Sequence, residues 1–219
     1  MSSLIDGEST GVTTVLRNEP VQARSAARLT SLLDATASVV AEIGYERLTT
    51  AMIAERAGSS IGTVYRYFPD RLAVLNALTA RSLARFMTEG VPRIDSPENT
   101  TWLDAIDVTL DYWVDAFLSE PGFASLRFGD VLDLRPRPEG QTNNGLVASA
   151  VVSVLTTRHG MESDGDLQFH IEVALELCDA AVARGFALDP KGDDRFTTAG
   201  LTTAKNYLID FYGDPRVTK

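Results

Sequence analysis

Cysteine and histidine are nearly absent. Cys178 is the single thiol among 219 residues, and His159 and His170 are the only imidazoles. One thiol excludes an intrachain disulfide. Two histidines so far from each other in sequence make a poor zinc site with it. No apolar run approaches the roughly 20 residues a membrane span needs. Met1–Glu19 lacks the basic-then-apolar pattern of a secretory leader. There is no glycine-rich phosphate loop, no nucleophile elbow and no alternating strand pattern of any length. The expectation is a cytoplasmic, helical protein without metal or cofactor, and not an enzyme.

What is present is periodic at helical spacing. The hydrophobic share of 44% is ordinary for a globular core. The net charge of −10 is unevenly spread. Arg24–Arg93 holds nine arginines against six carboxylates, a net of +3, whereas Ile94–Lys219 is −11. A mildly basic head on an acidic body favours contact with a polyanion through the head alone.

The densest signal lies in residues 49–71. Thr49 or Thr50 can cap a helix whose apolar face is Met52, Ile53, Ala54 and Ala57. Gly58 stands where that helix must stop with a positive φ. Ser59 and Ser60 offer the next cap, and a short helix follows over Ile61–Tyr67. Val64 and Phe68 fall on one face and point to the core. Outward lie Gly62, Thr63, Tyr65, Arg66 and Tyr67, and then Pro69-Asp70 ends this helix and caps another that begins with Arg71. Two short helices about a glycine turn form a helix-turn-helix, a shape that lays its second helix in a major groove. Thr63 can meet a thymine methyl, and Arg66 can fork onto guanine or a phosphate. Tyr65 reads equally well as a phosphate contact or as a core residue.

The run Ala57-Gly58-Ser59-Ser60-Ile61-Gly62-Thr63-Val64-Tyr65-Arg66-Tyr67-Phe68, preceded by Gly44-Tyr45 and Thr49-Thr50, resembles the DNA-binding domain of the TetR family. The resemblance covers about residues 28–75. It implies an all-α protein, with an N-terminal three-helix helix-turn-helix domain and a C-terminal helical ligand-binding and dimerisation domain. It also implies a ligand-responsive regulator, a repressor by preference, that binds a palindromic operator in double-stranded DNA as a homodimer. Carried over by position, the DNA-contacting set is Thr50, Ser60, Ile61, Gly62, Thr63, Tyr65, Arg66, Tyr67 and Arg71. Serine at 59, where the family often has valine, departs from the pattern. So does arginine at 71 in place of the common lysine.

The rest of the chain divides into a disordered tail (1–22), the DNA-binding domain (23–70) and an effector-binding and dimerisation domain (71–219). Arg17 and Arg24 in or beside the tail are candidates for a minor-groove contact. Helices are expected at about Ala26–Ile43, with Leu29, Leu33, Thr36, Val40 and Ile43 inward, and at Asp70–Glu89, carrying Leu72, Leu75, Leu78 and Leu83 and ended by Gly90-Val91-Pro92. Further helices are expected at about Thr101–Ser119, Glu120–Gly129 in a short broken piece, Thr142–His159, Asp166–Ala187 and Asp193–Tyr212. The loop Arg135–Gly145, rich in Pro, Gly and Asn, is expected to be mobile.

The last two helices, about 166–187 and 193–212, are the expected dimer interface. Their apolar positions are Ile171, Ala174, Leu175, Cys178, Ala181 and Val182 on one, and Phe196, Ala199, Ala204, Leu208 and Phe211 on the other. Phe86, Trp102, Trp113, Phe117 and Phe128, with His170 and Cys178 as polar contacts, are candidates to line a pocket for a small apolar or aromatic effector. The alternative use of these aromatics is plain core. Two other readings stay open: a ligand-independent regulator or activator with the same head, and a helical small-molecule carrier or enzyme whose hairpin is structural.

Overall fold

The computed structural model describes residues 11–127, 142–163 and 165–217, with side chains from residue 22 onward. The described part is all-α. In chain order the helices are α1 Gly11–Ile43, α2 Thr50–Arg56, α3 Ile61–Tyr67, α4 Arg71–Arg85, α5 Val91–Ile94, α6 Trp102–Ser119, α7 Phe123–Leu126, α8 Asn143–His159, α9 Gly165–Leu188 and α10 Asp194–Tyr212. Among the described residues, no helix is long and apolar enough to cross a membrane.

Side-chain caps set several of these boundaries. The hydroxyls of Thr49, Ser60 and Thr101 accept from the N–H of Met52, Thr63 and Asp104, and the Asp70 carboxylate accepts from Ala73. Each satisfies one of the free donors at a helix start. Asp104 accepts in return from the Thr101 N–H at 2.8 Å and completes a capping box.

Two hydrophobic clusters organise the chain. The head cluster joins α1–α4 through Leu32, Val40, Leu48, Ile53, Val64 and Leu75. The body cluster joins α6, α8, α9 and α10 through Trp113, Val151, Ile171, Val182 and Leu208. Two short pieces link them. One is the end of α4, which passes through a π-turn at Phe86–Gly90 into α5. The other is α7, which packs against α1, α4 and α6.

Several expectations need correction. The first helix does not start near Ala26 but runs from Gly11, so residues 11–22 of the expected tail are helical. Gln22-Ala23-Arg24 offer no stop signal at the expected boundary. Residues 1–10 lie outside the described residues. The helical path does not end at Gly90-Val91-Pro92: α4 stops at Arg85, a π-turn follows over Phe86–Gly90, and Pro92 lies within α5. Leu29, Met52 and Leu72 are exposed rather than inward, each lying beyond the edge of the compact head core. Phe128 and most of the 135–145 loop lie outside the described residues.

The C-terminal end is tied back to α6. Arg216 donates to Asp104 at 2.7 Å and to Asp107 at 2.6 Å, and Lys205 pairs with Asp107 at 3.0 Å. The Arg216 bond, then that of Thr101, holds the Asp104 carboxyl far below the usual carboxylate range. A folded-state value below the unfolded one contributes stability above the unfolded value, and that contribution is lost as pH falls through the folded value.

Two outcomes are expected from denaturant melts. Ser60→Ala should lower stability by about 1 kcal/mol, whereas Ser60→Asp should leave it nearly unchanged. Arg216→Ala should flatten the fall in stability below about pH 4, since the carboxyl it protects then titrates nearer its unfolded value.

Candidate nucleic-acid interface

The turn between α2 and α3 forms as its residues demand. Gly58 takes φ 57° and Ser59 N–H closes on Ala54 O at 2.8 Å. α3 is then only seven residues long, and its position depends on Val64, fully buried, and Phe68, which caps its end inside the head core. The opposite side of α3 faces outward. Ile61 is 48% exposed and Tyr65 52%, while Ser60, Gly62 and Arg66 are also exposed. Tyr65 is therefore not a core residue.

The polar groups of this surface are already held in place. The Ser60 and Thr63 hydroxyls lie 2.9 Å apart. Thr50 Oγ1 donates to Tyr65 Oη at 3.2 Å, which links the two helices of the helix-turn-helix. Tyr67 is half-buried, and its Oη lies 3.2 Å from Ser25 Oγ on α1. That bond, with the nearby Arg66 and Arg28 charges, lowers the Tyr67 phenol from its ordinary range. Arg66 lies over the Tyr67 ring at 5.3 Å. Arg71 donates to Glu46 O at 2.6 Å, so part of its guanidinium ties α4 to the 3-10 turn at Tyr45–Arg47.

The structure joins Ser25, Arg28 and Ser31, which the sequence pattern does not single out, to Arg24, Arg66 and Tyr67, which it does. Arg24, Ser25, Arg28, Ser31, Arg66 and Tyr67 line an open groove of about 810 Å³ between α1 and α3. Three guanidiniums there attract anions, and Ser25 and Tyr67 supply hydroxyl donors. Arg28 Nη1 also donates to Ser59 Oγ at 3.1 Å. This bond explains the serine at 59: the turn is fastened by a polar link to α1 in place of an apolar contact. The i,i+4 spacing of Arg24 and Arg28 was the available signal, since it puts both on one face of α1. On the other flank, Arg56 makes a bidentate pair with Glu42 at 2.7 and 2.8 Å and contacts Ser38. Arg56 is thus occupied within the head.

The body treats the candidate effector residues as core. Phe86 is fully buried edge-on to Tyr112, Trp102 packs on Tyr212, and Phe117 is flanked by Phe123 and Phe186. Trp113 donates its indole N–H to Asp179 at 3.1 Å. Cys178 is fully buried and its thiol is pushed up to about 12, chiefly by burial, so it is a packed, unreactive group. His170 joins α9 to α10 instead, with Nδ1 2.6 Å from Tyr207 Oη and the ring stacked on Phe211 at 3.8 Å. Phe86, Trp102, Trp113 and Phe117 share one core cluster, and His170 reaches its edge through Tyr212, which packs on Trp102.

The expected dimer residues also divide. Ile171, Ala174, Leu175, Cys178, Val182, Ala204 and Leu208 are buried within the subunit. Left exposed along α9 and α10 are Phe169, Leu177, Leu188 and Phe211. Among the described residues, no group of three His, Cys, Asp or Glu side chains is placed to hold a metal.

Comparison with known proteins agrees with this geometry. Residues 100–212 match the family model "Tetracyclin repressor-like, C-terminal domain", and residues 32–78 match "Bacterial regulatory proteins, tetR family". The transcriptional repressor KstR of Rhodococcus jostii is 32% identical over 100 residues, 45% of this chain and 47% of that protein. The matched segment thus spans about half the length of that relative. The regulator BetI of Cronobacter sakazakii is 39% identical over 64 residues, 29% of this chain and 31% of that protein. Among solved structures, a TetR-family transcriptional regulator from Streptomyces coelicolor superposes with a TM-score of 0.69 at 30% identity, over 83% of this chain and 97% of that one. FadR of Bacillus subtilis, in complex with stearoyl-CoA, shares the fold at 19% identity and a TM-score of 0.59, over 84% and 98% of the two chains. Helix-turn-helix, helical body and both family matches lead to one conclusion: the chain belongs to the TetR family of transcriptional regulators.

Proposed function

We propose that this regulator is a repressor that binds a palindromic operator as a homodimer and releases it in response to a small effector. The observation that carries the DNA part is the outward face of α3, capped, rigidly backed by Val64 and flanked by the Arg24–Arg28–Arg66 groove. In this reading Ile61, Gly62, Thr63 and Arg66 face base edges, with Ser60 at the helix start. Thr50, Tyr65, Tyr67 and Arg71 hold the phosphate backbone, joined by Arg24 and Arg28. Phosphate contacts set register, and base contacts set sequence. The division of labour falls near residue 70, between the reading head and the effector and dimer domain. A protein that works on DNA in this way acts in the cytoplasm.

Dimerisation is supported by the apolar groups that α9 and α10 leave exposed, Phe169, Leu177, Leu188 and Phe211. These are 24- and 19-residue helices packed side by side, long enough to pair with their copies in a four-helix arrangement. A net +3 head gains from such pairing, because two heads double the phosphate contacts.

For the effector, the fold shared with FadR, which was solved in complex with stearoyl-CoA, supports a ligand-responsive body. An apolar effector would have to open the cluster of Phe86, Trp102, Trp113 and Phe117 and bind that opened state better than the DNA-bound one. The tight burial of this cluster favours a second reading, a regulator with the same head and no effector. Thermal shifts with a panel of fatty acids, acyl-CoA thioesters and aromatic acids separate the two. A compound that raises Tm and weakens operator binding supports the first, and silence across the panel supports the second.

Three variants test the DNA and dimer parts. Arg66→Ala should cost about 1–3 kcal/mol and relax preference at one base position. Arg28→Ala should weaken all DNA binding evenly and reduce the salt slope by about 0.9 for each phosphate that Arg28 neutralises. Both are read by fluorescence anisotropy against salt. Leu177→Glu should convert the dimer to monomer in sedimentation, raising its dissociation constant at least about 30-fold.

A further inference from the structure

Helix α7 has four residues, yet it belongs to both cores. Leu126 is buried in the head cluster, and Phe123 in the body cluster, edge-on to Phe117 at 5.3 Å. Just before it, Gly122 takes φ 80° and presses on α1, where a Cβ would lie 3.1 Å from the Ala37 carbonyl. Glu120 reaches α4, accepting from Ser82 at 3.0 Å and lying 3.6 Å from Arg85. The corner between α6 and α7 is therefore wedged against the head on two sides.

What holds the wedge comes from the far side of the body. Arg127 follows α7 with φ 51° and ψ −129°, the one non-glycine residue with positive φ among the described residues. Its guanidinium donates to Asp179 Oδ2 at 2.7 Å, while Asp179 Oδ1 accepts from the Trp113 indole at 3.1 Å. Asp179 is 4% exposed. A strained backbone persists only where its surroundings hold it. A buried carboxylate stripped of its cation is strongly unfavourable. Each condition thus enforces the other: Arg127 stays strained because Asp179 needs it.

We propose that Arg127 and Asp179 are positioning residues for DNA recognition: their ion pair pins α7 against α1 and α4 and thereby sets the angle of the head on the body. This rests on the DNA-binding reading above. It gives the head a second link to the body, beside the chain path through α4. Without it, the head is joined to the body through α4 and the π-turn at Phe86–Gly90, an irregular turn of the kind that often marks functional sites. The side chains of α3 are untouched by a pivot there. What changes is the distance between two heads in a dimer, hence the half-site spacing that both can reach together.

The test uses the full-length protein and a duplex selected by it from a random pool, with two further duplexes whose half-sites are moved apart by one and by two base pairs. Asp179→Asn keeps volume and the bond from Trp113 but removes the charge. Arg127→Gly removes the guanidinium and adopts the positive φ without strain. Both should bind the selected duplex roughly 3- to 30-fold more weakly. Both should lose the wild-type preference among the three spacings, with helicity and affinity for non-specific DNA unchanged. Arg127→Lys should recover most of the spacing preference. A purely structural pair would lower Tm and leave the spacing preference intact, and that result overturns the proposal. If Asp179→Asn does not fold, Arg127→Gly decides alone by the same criterion. A wild-type protein that selects no sequence overturns the DNA reading itself, and this proposal with it.

Discussion

A helix of seven residues does not hold its shape in water on its own. The function of this chain nevertheless rests on one such helix, α3, presenting its outer face in a fixed orientation. Burial of Val64 and Phe68 in the head core is the interaction that makes this possible. The remaining features of the head serve it. Ser60 fixes where the helix starts, Gly58 allows the turn, and Arg28, Ser25 and Thr50 bind the turn and both tyrosines to neighbouring helices. The outer face can then stay open, because Val64 and Phe68 carry the packing of the helix from the opposite side.

The charge distribution extends the same logic. A head of net +3 attracts DNA only weakly, and a body of −11 repels it. On the proposed reading, binding is directed to the α1–α3 groove and depends on two heads acting together. In that reading the geometry between the heads is the controlling quantity, and the body sets it. Two links join head and body, α4 through its π-turn and α7 through Leu126, and on this reading they carry a change in the body to the DNA side.

The head was legible in the sequence because its signals are local. Thr49, Gly58, Ser60, Val64, Phe68 and Asp70 lie within a short run, and each has one physical use. The α3 bounds follow from them directly. The body was legible only as a set of helices. Which faces pack inward depends on partners far away in sequence, so Ala204 and Leu208 read as interface and turned out to be core. Periodicity could not reveal that Trp113 is bonded to Asp179, 66 residues away, or that Arg127 pairs with the same carboxylate across 52 residues. The long start of α1 escaped for a different reason: a helix that extends from a nucleated core needs no apolar stripe of its own.

The central claim is that the outward face of α3, presented twice, reads a symmetric DNA sequence. Selection of bound DNA from a random pool by the purified protein tests it most directly. The predicted result is two inverted half-sites about one helical turn apart, or a multiple of it, with protection of phosphates beside each half-site where Arg24 and Arg28 lie. Recovery of unselected sequence, or of a single unpaired site bound by a monomer, would contradict it.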